Sequence, residues 1–123
     1  MQVLMSETSS PGARIAAEAL REAGHTVHTC HVADATGFRC TGMRGNPCPL
    51  ETVSIDVAVD VRSAPLPIPR LDEDGVRCAV HRHVPLVVAG AVTTNPFGPW
   101  TTVECSVADV VEAAEAAMRP APA

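Results

Sequence analysis

Pro85–Gly90, PLVVAG, is an unbroken apolar run of strand length closed by a proline at one end and a glycine at the other. Alternation would mark a strand with one wet face; a continuous apolar run of this length marks one covered on both faces, which is the signature of a parallel sheet under helices. The rest of the chain is read outward from that centre. Upstream, Ser54–Val61, SIDVAVDV, places Ile55, Val57, Val59 and Val61 on one face, and its β-branched content predicts a second buried strand. Downstream, the TTNPFGPW loop leads into TTVEC, read as the last strand. Near the start, Gln2–Met5 is a short apolar strand and His25–His31, HTVHTCH, is another.

Helix signals fill the gaps between strands. Ser10 stands at an N-cap position with Pro11 after it, and Ile15, Ala16, Ala19, Leu20 and Ala23 recur at helical spacing until Gly24 stops the run. Asp72–His83 holds a short helix carrying Val76, Ala79 and Val80. Ser106 and Asp109 form a capping box ahead of VADVVEAAEAAMR. The stretch 33–52 has too many helix breakers for a regular helix, and an APLPIPR segment follows the third strand. The order predicts a single α/β domain over residues 1–119, three-layered and flavodoxin-like, with a five-stranded parallel sheet ordered 2-1-3-4-5 and an irregular second connection. The first and last helices then share one face, and 33–52 and 62–83 share the other. Residues 120–123 read as a disordered tail.

Composition removes several functions. A length of 123 residues with 46% apolar content suits one core, and a net charge of −5 without a cationic cluster argues against nucleic acid. MQVLM is not a signal sequence, and no apolar run nears the roughly 20 residues a bilayer requires, so a cytoplasmic protein without a membrane role is expected. All nine basic residues are arginine, which excludes Schiff-base and P-loop lysine chemistry.

In an open parallel sheet, ligands bind at the carboxyl ends of the strands. Glu7 follows the first strand, Asp60 closes DVAVDV, Thr93 and Thr94 lie just beyond VVAG, and Glu104 and Cys105 end the last strand. In element order over nearly its full length, and in these positions, the chain resembles response-regulator receiver domains. The resemblance implies Asp60 as the phospho-acceptor-like residue, Glu7 as the acidic partner and Thr93 as the hydroxyl. It also exposes departures: one acid stands where two would hold magnesium, and Glu104 and Cys105 occupy the place of the lysine. A degenerate, non-catalytic regulatory module acting through a protein partner or a homodimer is the expectation. The SETSSPGA loop is similar to the phosphate-binding turn of flavodoxins in its hydroxyl content, and with Phe97 and Trp100 it gives a small flavin-binding protein as a further alternative.

The cysteines supply a different rival. In RCTGMRGNPCPLE, Cys40 and Cys48 are too widely spaced for a zinc knuckle, but Cys78 heads CAVHRH with His81 and His83 close behind. If the two connections adjoin, Cys40, Cys48, Cys78 and one of His81 or His83 make a Cys₃His set suited to zinc or an iron–sulfur cluster, or to redox sensing. The simpler alternative leaves the cysteines as buried small residues, free thiols or a loop disulfide. His28 and Cys30, on one strand face, outline a second, weaker cluster.

Overall fold

The computed structural model describes residues 1–30, 48–70, 73–91 and 93–118. Five strands, β1 (Gln2–Met5), β2 (Thr26–Thr29), β3 (Val57–Arg62), β4 (Leu86–Gly90) and β5 (Val103–Cys105), form one sheet ordered β2-β1-β3-β4-β5. Every pairing is parallel. The helices are α1 (Pro11–Glu22), α2 (Pro49–Thr52), α3 (Asp74–His81) and α4 (Val110–Met118). The result is the three-layer flavodoxin-like architecture that the strand and helix order predicts. None of the described helices is long and apolar enough to cross a membrane.

Period-two alternation along the central strands divides the core into two layers. Val3, Met5, Val57, Val59, Val61, Val87 and Ala89 face α1 and α4, while Leu4, Ala58, Leu86 and Val88 face α2 and α3. β4 is buried on both sides up to Gly90 and carries no polar side chain, as PLVVAG foretells, whereas β3, equally buried, carries Asp60 and Arg62 on one face. The inward face of α1 is Ala13, Ala16, Ala17 and Leu20, small enough to let the helix lie close to the sheet. Gly12 continues that approach, since a Cβ there would stand 3.1 Å from Val61 Cγ1. Ile15, expected on the apolar stripe, is instead exposed, because that alanine-rich arc faces the sheet and leaves Ile15 outside it.

Several boundaries shift for local reasons. β3 starts at Val57 rather than Ser54, since Asp56 clamps Gln2 instead, its carboxylate accepting from the Gln2 amide (2.7 Å) and its own amide donating to the Gln2 carbonyl (2.9 Å). Ile55 therefore precedes the strand and packs on the α2/α3 side. At the last helix, a 3₁₀ turn over Val107–Asp109 precedes α4. The Ser106 hydroxyl donates to the Asp109 carboxylate (3.0 Å) and accepts from no helix amide, so the capping box closes side chain to side chain. The described end of the second connection, Cys48 and α2, adjoins α3: Arg82 donates to the Leu50 carbonyl (3.0 Å) and pairs with Glu51 at 3.8 Å.

Helices α1 and α3 end in the same way. In α1, Gly24 N donates to Arg21 O and His25 N to Leu20 O; in α3, His83 N donates to Val80 O and Val84 N to Ala79 O. Both are Schellman caps, whose turning residue adopts the left-handed conformation. Gly24 takes it at φ 91°, whereas α3 uses His83 at φ 59°.

Candidate functional site

At the carboxyl end of β1, the sequence turns an acidic side chain back on the helix that follows. The Glu7 carboxylate accepts from the Ser9 amide (2.7 Å) and hydroxyl (3.0 Å), and from the Ser10 amide (3.0 Å) and hydroxyl (2.7 Å). Ser10 was expected to cap α1 through its own hydroxyl; its hydroxyl instead serves Glu7. Burial by itself raises the Glu7 pKa, but these Ser10 and Ser9 bonds outweigh it and hold the carboxyl below its ordinary range. A carboxylate here also meets the positive end of the α1 dipole.

Next to it, β3 sends Asp60 and Arg62 toward α3 by the same alternation that sends Val59 and Val61 toward α1. Arg62 is 0% exposed, Glu73 1% and Asp60 2%. One Arg62 terminal nitrogen donates to both Glu73 oxygens at 2.7 Å. Its other terminal nitrogen donates to the carbonyls of Leu66 and Ile68, holding the Pro-rich segment to the end of the strand. Arg70 lies 3.7 Å from Asp60 Oδ1 and 3.9 Å from Glu73 Oε2, and its amide donates to Glu73 Oε1 at 2.7 Å.

The two acids in this cluster behave oppositely. Burial is the main reason that Asp60 is held well above the usual carboxylate range, with the hydrogen bond to Glu73 and the repulsion from it adding to the rise against the pull of Arg70 and Arg62. Burial raises Glu73 as well, but its bonds with Asp60 and the Arg70 amide, and then the two guanidinium charges, bring it below its ordinary value. Among the described residues, Asp60 Oδ2 meets no donor. The opposite directions of the two shifts favour Asp60 over Glu73 as the holder of any proton that the two neighbouring acids share.

Beyond β4, Thr93 lies exposed in a turn, and Thr94 Oγ1 is buried with no partner among the described residues. Asn95 braces this loop: it donates to Thr101 Oγ1 (2.9 Å) and Glu104 (3.2 Å) and accepts from the Phe97 amide (2.9 Å). Cys105 has its thiol pushed up by burial and by Asp109.

Cys40 lies outside the described residues. Cys48 stands at the start of α2, half-buried against the α2/α3 core, while Cys78, His81 and His83 are exposed on α3 and its cap. Among the described residues, no three His, Cys, Asp or Glu side chains gather closely enough to hold a metal ion. Of the second cluster, His28 Nε2 is engaged with Gln2 Oε1 at 2.6 Å, and Cys30 is buried beside Gly75.

Two cavities open nearby. One, of about 320 Å³, is lined by Glu7, Ser9, Ser10, Ser63 and Arg70. The larger, of about 610 Å³, lies between α3 and the β4–β5 loop and is lined by Arg77, Val80, His81, His83, Phe97 and Trp100, among others. The residues that sequence reasoning passed over are Arg62, Arg70 and Glu73. Their signal was present: an arginine ending a run as apolar as DVAVDVR requires a buried counter-ion. Comparison of the chain with family models, with curated proteins and with solved structures found no match.

Proposed function

We propose that the protein is a non-catalytic interaction module of receiver-like architecture, in which the acidic site at the end of β3 serves as a structural anchor. The observation that carries this reading is the engagement of Arg62: it is sealed from solvent, paired to Glu73, and bound through its other nitrogen to the backbone of the Pro-rich segment. Asp60, at the acceptor-like position, faces that cluster, and Glu7 is committed to the start of α1. Among the described residues, this arrangement leaves no cation-binding pair of free carboxylates. The anchored segment instead presents Leu66 and Ile68 to solvent as exposed apolar side chains, which suits contact with a partner protein or a second copy of the chain.

The test has two arms. Incubation with acetyl phosphate and Mg²⁺ should add no phosphoryl group by intact mass; a label that Asp60→Asn abolishes would overturn the non-catalytic reading. Sedimentation equilibrium then compares the wild type with a Leu66→Asp/Ile68→Asp variant. Self-association lost in the variant identifies the second copy as the partner, and a monomer in both directs the search to another protein.

A further inference from the structure

We propose that the cavity between α3 and the β4–β5 loop binds a planar aromatic anion, stacked on Trp100 and held by Arg77, His81 and His83. This site is separate from the Asp60 cluster and does not depend on how that cluster functions. The volume, about 610 Å³, is that of a small-molecule pocket. Its floor is apolar: Phe97 is 4% exposed and belongs to the core beneath α3, with Val80 packed against the same cluster. Its wall is the Trp100 indole, left 57% exposed although the protein has no other tryptophan and no tyrosine. The turn Gly98–Trp100 holds the backbone that carries that indole through the Trp100 amide on Phe97 O (2.9 Å), with Asn95 bracing the loop behind. A ring lying on the indole would cover the aromatic face that the protein leaves open.

The charge comes from α3. Arg77, His81 and His83 all line the cavity, and among the described residues none of the three forms a hydrogen bond or ion pair through its side chain. In a chain with a net charge of −5, the unpaired Arg77 guanidinium, with two imidazoles able to donate hydrogen bonds beside it and no acid among the cavity's described lining residues, selects an anion. The negative end of α3 does not oppose this, because the amides of His83 and Val84 cap its last carbonyls. His83 provides an independent indication. It occupies the left-handed cap position that Gly24 fills in α1, a conformation unfavourable for a residue with a Cβ. A histidine in this strained conformation, with its side chain lining the cavity, points to use of that side chain.

The probe is 2-naphthoate, with 2-naphthamide as its uncharged counterpart, titrated into the ¹⁵N-labelled protein. A single indole N–H resonance reports the site directly, since Trp100 is the sole tryptophan. A saturable shift of that resonance is expected below about 1 mM naphthoate, with the amide at least about fivefold weaker. Arg77→Gln should weaken naphthoate about threefold to tenfold and leave the amide unchanged. His83→Gly should raise Tm while weakening naphthoate, a combination that loss of fold cannot produce. An indole resonance that does not move, equal binding of acid and amide, or unchanged naphthoate affinity in Arg77→Gln would each overturn the proposal.

Discussion

Replacing Glu73 with glutamine removes the charge from the centre of the buried cluster with almost no change in shape. Arg62 is then a guanidinium at 0% exposure without its counter-ion, and leaving one partner of a buried pair alone costs about 3–5 kcal/mol. Asp60 limits the loss. Its proton is retained partly because of Glu73, so in Glu73→Gln the repulsion vanishes and Asp60 can ionise in compensation. The single variant should therefore lose about 3 kcal/mol, the low end of that range. Asp60→Asn replaces an acid whose charged form burial opposes by a neutral isostere; it should cost about 1 kcal/mol or less in acid, and at neutral pH that cost should be offset or reversed. The double variant leaves the buried Arg62 without either acid as a counter-ion, and should lose at least about 1 kcal/mol more than the sum of the singles. Urea unfolding followed by circular dichroism at pH 7 measures all four corners of the cycle. A Glu73→Gln loss below about 1 kcal/mol, or an additive cycle, would refute the reasoning.

Other outcomes follow from the same contacts. Glu7→Ala removes the acceptor of four hydrogen bonds at the head of α1 and should cost about 1–2 kcal/mol at pH 7. Since the folded Glu7 pKa is depressed, that contribution exists above its ordinary value of 4.5 and fades as pH falls; urea midpoints of wild type and variant should converge in acid. Asp60 has the opposite sign, its folded pKa being raised. Stability from its proton is full below about pH 4 and is lost as pH rises, so Asp60→Asn should gain on the wild type by up to about 1.4 kcal/mol per pH unit until the folded value is passed. Gly90→Ala should destabilise by more than about 3 kcal/mol in thermal unfolding, because a Cβ there meets Arg62 O at 2.4 Å and φ is 97°. Gly75→Ala is milder: Cys30 Sγ at 3.0 Å and Ser6 Oγ at 3.1 Å crowd the new methyl, and about 1 kcal/mol should remain after the gain in helix propensity.

The fold was legible because its signals are local. PLVVAG needed only its own six residues to declare a doubly covered strand, and Pro11 and Gly24 bracket α1 by backbone chemistry alone. The site was less legible because its pairings are tertiary. Arg62 and Glu73 stand eleven residues apart across a Pro-rich segment, and nothing in the spacing specifies that the segment folds back to bring them together. Glu7 illustrates the same limit at short range. Ser10 carries the usual N-cap signature, yet an acid three residues earlier offers a stronger acceptor, and the hydroxyl becomes a donor to it. Ile15 shows that spacing alone does not choose a helix face when alanines on the adjacent arc permit closer packing.

The central claim is that the acid at the acceptor-like position is a protonated part of an internal cluster rather than a free carboxylate. A ¹³C titration of the Asp60 carboxyl carbon, assigned by its loss in Asp60→Asn, tests it most directly. The account predicts that this carbon stays in its protonated form well above pH 4 and that Glu73→Gln lowers its midpoint. A midpoint at or below about 3.9 in the wild type, unchanged by Glu73→Gln, would contradict it.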